Sequence, residues 1–252
     1  MKYTFSAGLM LLAGTLMFSS CERRIVVTTE EAHWEYENPD WQQIGYGDCG
    51  GNSQSPINIE RHRTLVSEQL PDIQFRYSPF ALKIVDNGHT LQVNNNDPAV
   101  GVNYNGTAYK FVQLHLHRAS EHKIDGEGAE MELHCVHQDS LGNLMVIAFM
   151  IEEGAESPLL KQILKHVPDQ KMREMTHSDV LVDLLALQPE DRAYYTYSGS
   201  LTTPPCSAAV QFLVYKKALT ASRSQINEFA SHYHHNARPV QPINNRIILE
   251  KK

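Results

Sequence analysis

The chain has 252 residues, 42% hydrophobic and 20% charged, with a formal net charge of −7 when its 13 histidines are neutral. That length is enough to bury a full core in one domain. The acidic balance argues against a nucleic-acid partner, which needs a basic face, and the lack of a repeat or low-complexity tract excludes a solenoid.

Residues 1–20, "MKYTFSAGLMLLAGTLMFSS", join a basic start to a short apolar run and end on Ser19 and Ser20. They read as a secretory signal, too short for a comfortable membrane span. Cys21 comes directly after, a pattern that resembles a bacterial lipoprotein signal in which this cysteine carries lipid. Phe18 departs from the Leu usual at its place, so ordinary cleavage stays open. On the lipoprotein reading, residues 21–29 are a polar tether and residues 30–252 the folded domain. The protein then belongs to the bacterial cell envelope, periplasmic or on the outer membrane, touching lipid only through Cys21.

Strand patterns dominate the rest of the chain. "PINI", "FALKIV", "HTLQVNN", "YKFVQLHLHR", "EMELHCVHQ", "LMVIAFMIEE" and "AVQFLVYKK" carry alternating or continuous β-branched and aromatic residues between Asn, Gly, Pro or Asp. Two helices are expected. Ser157 and Pro158 open "SPLLKQILKHV" as N-cap and first helical residue, with an apolar stripe from Leu159 to Val167. "SRSQINEFASHY" reads as a second, buried through Ile226, Phe229 and Tyr233. The expected fold is mostly β with minor α: a large, mainly antiparallel twisted central sheet with a few peripheral helices. Cys135, in "ELHCVH", points away from the face of His134 and reads as a buried thiol. Cys49 and Cys206 lie in Gly- and Pro-rich loops and make the natural disulfide pair.

Residues 113–138 hold five histidines. His115 and His117 are two apart, the spacing that puts side chains on one face of a strand; a helix would need three or four. Gln113 shares their face, and on the next strand Glu132, His134 and Val136 share theirs. Neighbouring strands lie about 4.8 Å apart, so the three imidazoles can converge on a metal with bonds of about 2.0–2.1 Å. Three neutral ligands and no thiolate leave zinc a fourth, open position, the catalytic pattern. Gln113 and Glu132 are placed to accept the remaining ring N–H groups and fix the tautomers. His122 and His137 fall outside this pattern and read as structural or surface residues. The link between the strands, "RASEHKIDGEGAE", reads as a polar turn.

With "QSPINI", "DNGHTLQV", "FVQLHLH", "SEH", "ELHCVH", "GSLTTPP" and "RPVQPINNR" in this order, the chain resembles the α-class carbonic anhydrases from His33 to Arg246, most of all the secreted bacterial type. The resemblance implies a Zn2+ enzyme that hydrates carbon dioxide reversibly to bicarbonate and a proton, by attack of zinc-bound hydroxide. It implies His115, His117 and His134 as ligands, and Thr202 as the hydroxyl between the nucleophile and Glu121, with Thr203 beside it. Val136, Val146 and Leu201 match the apolar wall for the substrate, and Asn236 the residue whose carbonyl orients the second ligand. His89 matches the proton shuttle, with Tyr36, Asn87 and Gln92 along the proton path. "HWEYE" departs from the family's "HWGYG", and Arg118, Phe212 and Ala237 stand where many members have Trp. A surface binding module on the same fold and a zinc hydrolase are the competing readings; retention of all three histidines favours the enzyme. Nothing in the sequence fixes the oligomeric state.

Overall fold

The computed structural model of the protein describes residues 32–252. The expected signal, the tether and Cys21 lie outside the described residues. Alternation read from the sequence folds into strands: β1 (Phe80–Asp86), β2 (Leu91–Asn94), β3 (Thr107–His117), β4 (Met131–Gln138) and β5 (Leu144–Glu153). After them come β6 (Met175–Val182), β7 (Tyr194–Ser200) and β8 (Ala208–Tyr215). With shorter strands these build a 13-stranded sheet in the order β6-β1-β2-β3-β4-β5-β8-β7, then Leu249–Glu250 and Leu65–Val66. β6 and β7 are not among the strands expected from the sequence. "PINI" contributes only Asn58–Ile59, paired with Lys123–Ile124 outside the main sheet.

Pairing is antiparallel from β6 through to β5 and between β8 and β7. At the centre β5 and β8 run parallel from Met145↔Gln211 to Ala148↔Val214, and short parallel pairings also join β5 to Leu219–Ala221 and Leu249–Glu250 to Leu65–Val66. The β5–β8 pair cannot be joined by a tight turn; α1, β6 and β7 occupy the crossover.

Both expected helices form, the first behind its expected cap. α1 spans Pro158–Lys165, with Ser157 Oγ accepting from Leu160 N. α2 spans Arg223–His232 behind a capping box of Ser222 and Gln225. Leu159, Leu160, Ile163 and Leu164 of α1 and Ile226 and Phe229 of α2 pack with Leu114, Leu116, Leu133, Cys135, Ile147 and Phe149 in one core. A fully buried Leu, Ile or Phe side chain contributes about 1.5–3 kcal/mol, so this face anchors the sheet. On the opposite face, Val136, Val146, Tyr197, Val210 and Phe212 form a second apolar cluster. The histidines lie on that side because strand alternation sends them there while the leucines between them enter the larger core.

Candidate metal centre and active site

Register brings the three histidines together. His115 of β3 stands opposite His134 of β4, and His117 opposite Glu132. Ring centroids are 4.9 Å apart for His115–His117, 5.2 Å for His115–His134 and 4.7 Å for His117–His134. One nitrogen from each lies within 4.8 Å of the others.

Each ring spends its other nitrogen on a fixed acceptor. His115 Nδ1 donates to Gln113 Oε1 (2.8 Å), His117 Nδ1 to the carbonyl of Asn236 (2.8 Å), and His134 Nε2 to Glu132 Oε1 (2.7 Å). These bonds leave lone pairs on His115 Nε2, His117 Nε2 and His134 Nδ1. Burial keeps the rings neutral: it holds His115 well below the usual imidazole range, pushes His117 down to about 4 and lowers His134. His117 Nε2 is buried without any hydrogen-bond partner. A neutral, oriented, unpartnered donor set of this kind fits a zinc ion.

Behind the three histidines, Glu132 does more than hold His134. Oε1 also accepts from His122 Nδ1 (2.6 Å), and Oε2 accepts from the main-chain N–H groups of Glu121 and His122 (2.8 Å each). Burial alone would raise the Glu132 pKa, but His122 and His134 outweigh it and hold the carboxyl well below its usual range. Tyr197 OH donates to His122 Nε2 (2.6 Å) and meets Ser55 Oγ (2.8 Å), which accepts from Ser200 N (3.1 Å). The chain of bonds thus runs from His134 to the segment that carries Leu201 and Thr202. His122, Glu132 and His134 also form a cluster of potential ligands, but their facing atoms are spent on one another.

His122 is therefore structural rather than on the surface, and the link, which does turn at Asp125–Gly126 between antiparallel neighbours, also folds back on β4. His122 is fully buried and Glu121 nearly so, and both are pinned to β4 through Glu132. Strand parity could not reveal this, because the contact comes from a loop that folds back. His137 is equally buried; its Nδ1 meets Cys135 O (2.9 Å) and its Nε2 meets Tyr77 OH (2.8 Å).

Glu121 Oε1 accepts from Arg238 N (2.9 Å), while Oε2 has no hydrogen-bond partner and lies 3.4 Å from His117 Nε2 and 3.8 Å from His134 Nδ1. Burial pushes Glu121 up to about 7, against the opposing pull of His134, Arg238 N and the Thr202 hydroxyl. Thr202 is buried, and Thr203 is half-buried with its carbonyl accepting from Cys206 N (2.9 Å). Val136 pairs with Val146 across β4 and β5, and Leu201 packs on their cluster. Phe212 stacks on Tyr197 (5.2 Å between centroids) and lies edge-on to His134 (6.0 Å), underpinning the ligand without a Trp.

A cavity of about 620 Å3 is lined by His89, Tyr36, Asn87 and Asn236 together with His33 and His234. His89 stacks on Trp34, ring to ring at 3.7 Å, with Tyr36 edge-on at 6.3 Å. Asn87 Oδ1 accepts from His89 N (3.0 Å) and its Nδ2 donates to Gln92 Oε1 (3.2 Å). Asn236 joins the halves of the site. Besides accepting from His117, it donates Nδ2 to His89 O (3.0 Å) and Leu116 O (2.9 Å). Trp34, Tyr197, Ser55 and Arg238 also contribute. Trp34 lies in "HWEYE", Ser55 in "QSPINI" and Arg238 in "RPVQPINNR", whereas Tyr197 falls in no motif of the sequence.

Comparison with known proteins agrees with this geometry. The family model described as eukaryotic-type carbonic anhydrase matches residues 36–252. A carbonic anhydrase of Klebsiella pneumoniae is 38% identical over 234 residues, covering 89% of this chain and 93% of that protein. The solved α-carbonic anhydrase of Thermovibrio ammonificans, in complex with the inhibitor sulfanilamide, superposes with a TM-score of 0.82 at 35% identity, covering 86% and 99% of the two chains. The α-carbonic anhydrase of Photobacterium profundum gives a TM-score of 0.79 at 31% identity, covering 86% and 100%. The chain thus belongs to the eukaryotic-type, or α, carbonic anhydrase family, the enzymes that hydrate carbon dioxide.

Proposed function

We propose that this chain hydrates carbon dioxide reversibly with a zinc ion held by His115, His117 and His134, and exports the proton through His89. The observation that carries the reading is the buried, unpartnered Nε2 of His117 beside two further imidazoles whose other nitrogens are already committed. Zinc bound there supplies a Lewis acid that makes water a nucleophile at neutral pH.

The chain's own residues do the rest. Glu121, once ionised, can only accept hydrogen bonds, so the Thr202 hydroxyl donates to it and keeps its own lone pairs for the attacking oxygen. A nearby cation favours the ionised carboxylate, lowering Glu121 from the value near 7 that burial gives it. Val136, Val146 and Leu201 offer an apolar wall suited to a small uncharged substrate, with Thr203 beside it. His89 is half-buried, and its pKa is lowered by burial, then by His33 and Lys171. It is accordingly neutral at physiological pH and ready to accept a proton. Tyr36, Asn87 and Gln92 flank its route inward.

Metal analysis with a hydration assay tests the ligand set. His134→Ala should lose most of its zinc and its activity together, and full zinc occupancy in that variant would overturn the assignment. We propose further that Cys21 carries lipid and holds the enzyme at the cell envelope, on the strength of Ser19, Ser20 and the polar stretch after the cysteine. Cys21→Ser should move the protein to the soluble fraction; unchanged membrane association counts against lipidation.

A further inference from the structure

His166 and His177 stand together away from the metal centre. His166 caps the C-terminus of α1, and His177 lies on the edge strand β6, where the pairing with β1 slips between His177 and Leu181. Such irregularities at a sheet edge re-aim side chains. The two rings are 4.6 Å apart between centroids and tilted by 54°. The His117–His134 pair at the metal centre shows nearly the same geometry, 4.7 Å and 59°.

The nitrogens repeat the parallel. His166 Nδ1 lies 2.8 Å from the carbonyl of Gln162. A carbonyl only accepts, so Nδ1 carries the proton and Nε2 keeps its lone pair. His117 is held in the same way by Asn236 O, the arrangement by which a backbone carbonyl orients a metal-binding imidazole. His177 Nε2 is buried with no hydrogen-bond partner. Among the described residues, His117 Nε2 is the only other imidazole nitrogen in that condition. A buried polar atom is costly to leave unpaired, and on the proposed function, on which this comparison rests, a metal is the missing partner at His117.

We infer that His166 and His177 form a second metal site, for a divalent transition-metal cation, bridging the end of α1 to the edge of the sheet. Two imidazoles with water completing the coordination suit Zn2+, Cu2+ or Ni2+ rather than Mg2+ or Ca2+. With two protein ligands instead of three, the site binds more weakly than the catalytic one and exchanges its ion with solvent. Its cation ties a helix to a strand that is otherwise held along one edge only, so binding stabilises the folded state by mass action.

Zinc titration of the full chain, with bound metal counted after equilibrium dialysis, tests this. The wild type should take up two zinc ions per chain at saturation, the weaker one removed by a mild chelator that leaves carbon dioxide hydration intact. His177→Ala and His166→Gln should each bind a single zinc while keeping hydration activity, which also shows that they fold. Should either variant fail to fold, Cu2+ added to the zinc-loaded wild type gives the same answer, with nitrogen hyperfine splitting from two imidazoles expected. Saturation of the wild type at one zinc overturns the site. So does a second zinc that survives in both variants, which would place it elsewhere, for instance at His232, His234 or His235.

Discussion

Glu132 accepts four hydrogen bonds while fully buried, so its charge is balanced by His122, His134 and two main-chain amides. Glu132→Gln keeps the shape but removes the charge that fixes the His134 tautomer. Removing such an orienting partner typically lowers metal affinity roughly 10–100-fold. Competition with a chelator should read that loss, and an unchanged affinity would mean that the carboxylate only fills space. The role proposed for His89 concerns a different step. Without a relay, proton release from a group of pKa near 7 is limited to on the order of 10³ s⁻¹, the product of a capture limit of about 10¹⁰ M⁻¹s⁻¹ and about 10⁻⁷ M. His89→Ala should therefore lower kcat in dilute buffer, spare kcat/KM, and recover with added imidazole. An unaffected kcat under those conditions assigns the proton to another group. The cluster of His115, His117 and His134 was legible because strand parity needs only a period of two. His122 was not, since its partner Glu132 is reached through a loop whose path no local pattern encodes.

Among the elements, β4 carries a pH dependence of its own. Burial pushes His137 down to about 4, from an ordinary value near 6.5, and its ring is satisfied as the neutral form by Cys135 O and Tyr77 OH. Between those values the unfolded chain binds a proton that the folded chain does not, so stability rises with pH across this window. The contribution is complete above about pH 6.5 and lost as pH falls to about 4, on the order of 3 kcal/mol in all. His137→Phe should flatten the dependence of unfolding free energy on pH between 4 and 6.5. An equally steep curve would show that the slope arises at other groups. The strands that were read correctly are those with alternating or continuous apolar residues, such as β1 and β5. β7, "YYTYSGS", escaped notice because its Thr, Ser and Gly dilute the pattern, although Tyr194, Tyr195 and Tyr197 are buried. β6 escaped because an edge strand buries little, and its sequence "MTHSDVLV" is mostly exposed. Both helices, by contrast, were legible, the first from Ser157–Pro158 and its apolar stripe, the second from the spacing of Ile226, Phe229 and Tyr233; Ser222→Ala should cost about 1 kcal/mol through its lost cap.

At the scale of the whole molecule, the Cys49–Cys206 disulfide ties a short 3-10 helix, Gly47–Gly50, to the loop just beyond Thr202 and Thr203, across 157 residues. Closing so long a loop is worth about 5 kcal/mol in the chain-entropy account, an upper figure. Reduction or Cys49→Ser should lower the melting temperature, and peptide mapping should find Cys135, whose thiol burial pushes far up, as the free cysteine. Detection of Cys135 in a disulfide would contradict the pairing. The mainly antiparallel sheet was legible from strand content, but the order of its strands was not, because pairing over long separations leaves no trace in local periodicity.

The parallel junction of β5 with β8 has a consequence for how the chain comes to be folded. β5, "LMVIAFMIEE", is among the most apolar stretches of the protein, and it leaves the ribosome long before the residues that will cover its open edge. Domains assemble from the N-terminus during synthesis, yet here the hairpin of β4 and β5 must wait for α1, β6 and β7 before β8 arrives. Contacts of such long sequence separation are slow to form. During that interval the nascent chain displays a sticky, unpaired strand. Chains truncated before Tyr215 should accordingly aggregate, however complete their histidine cluster.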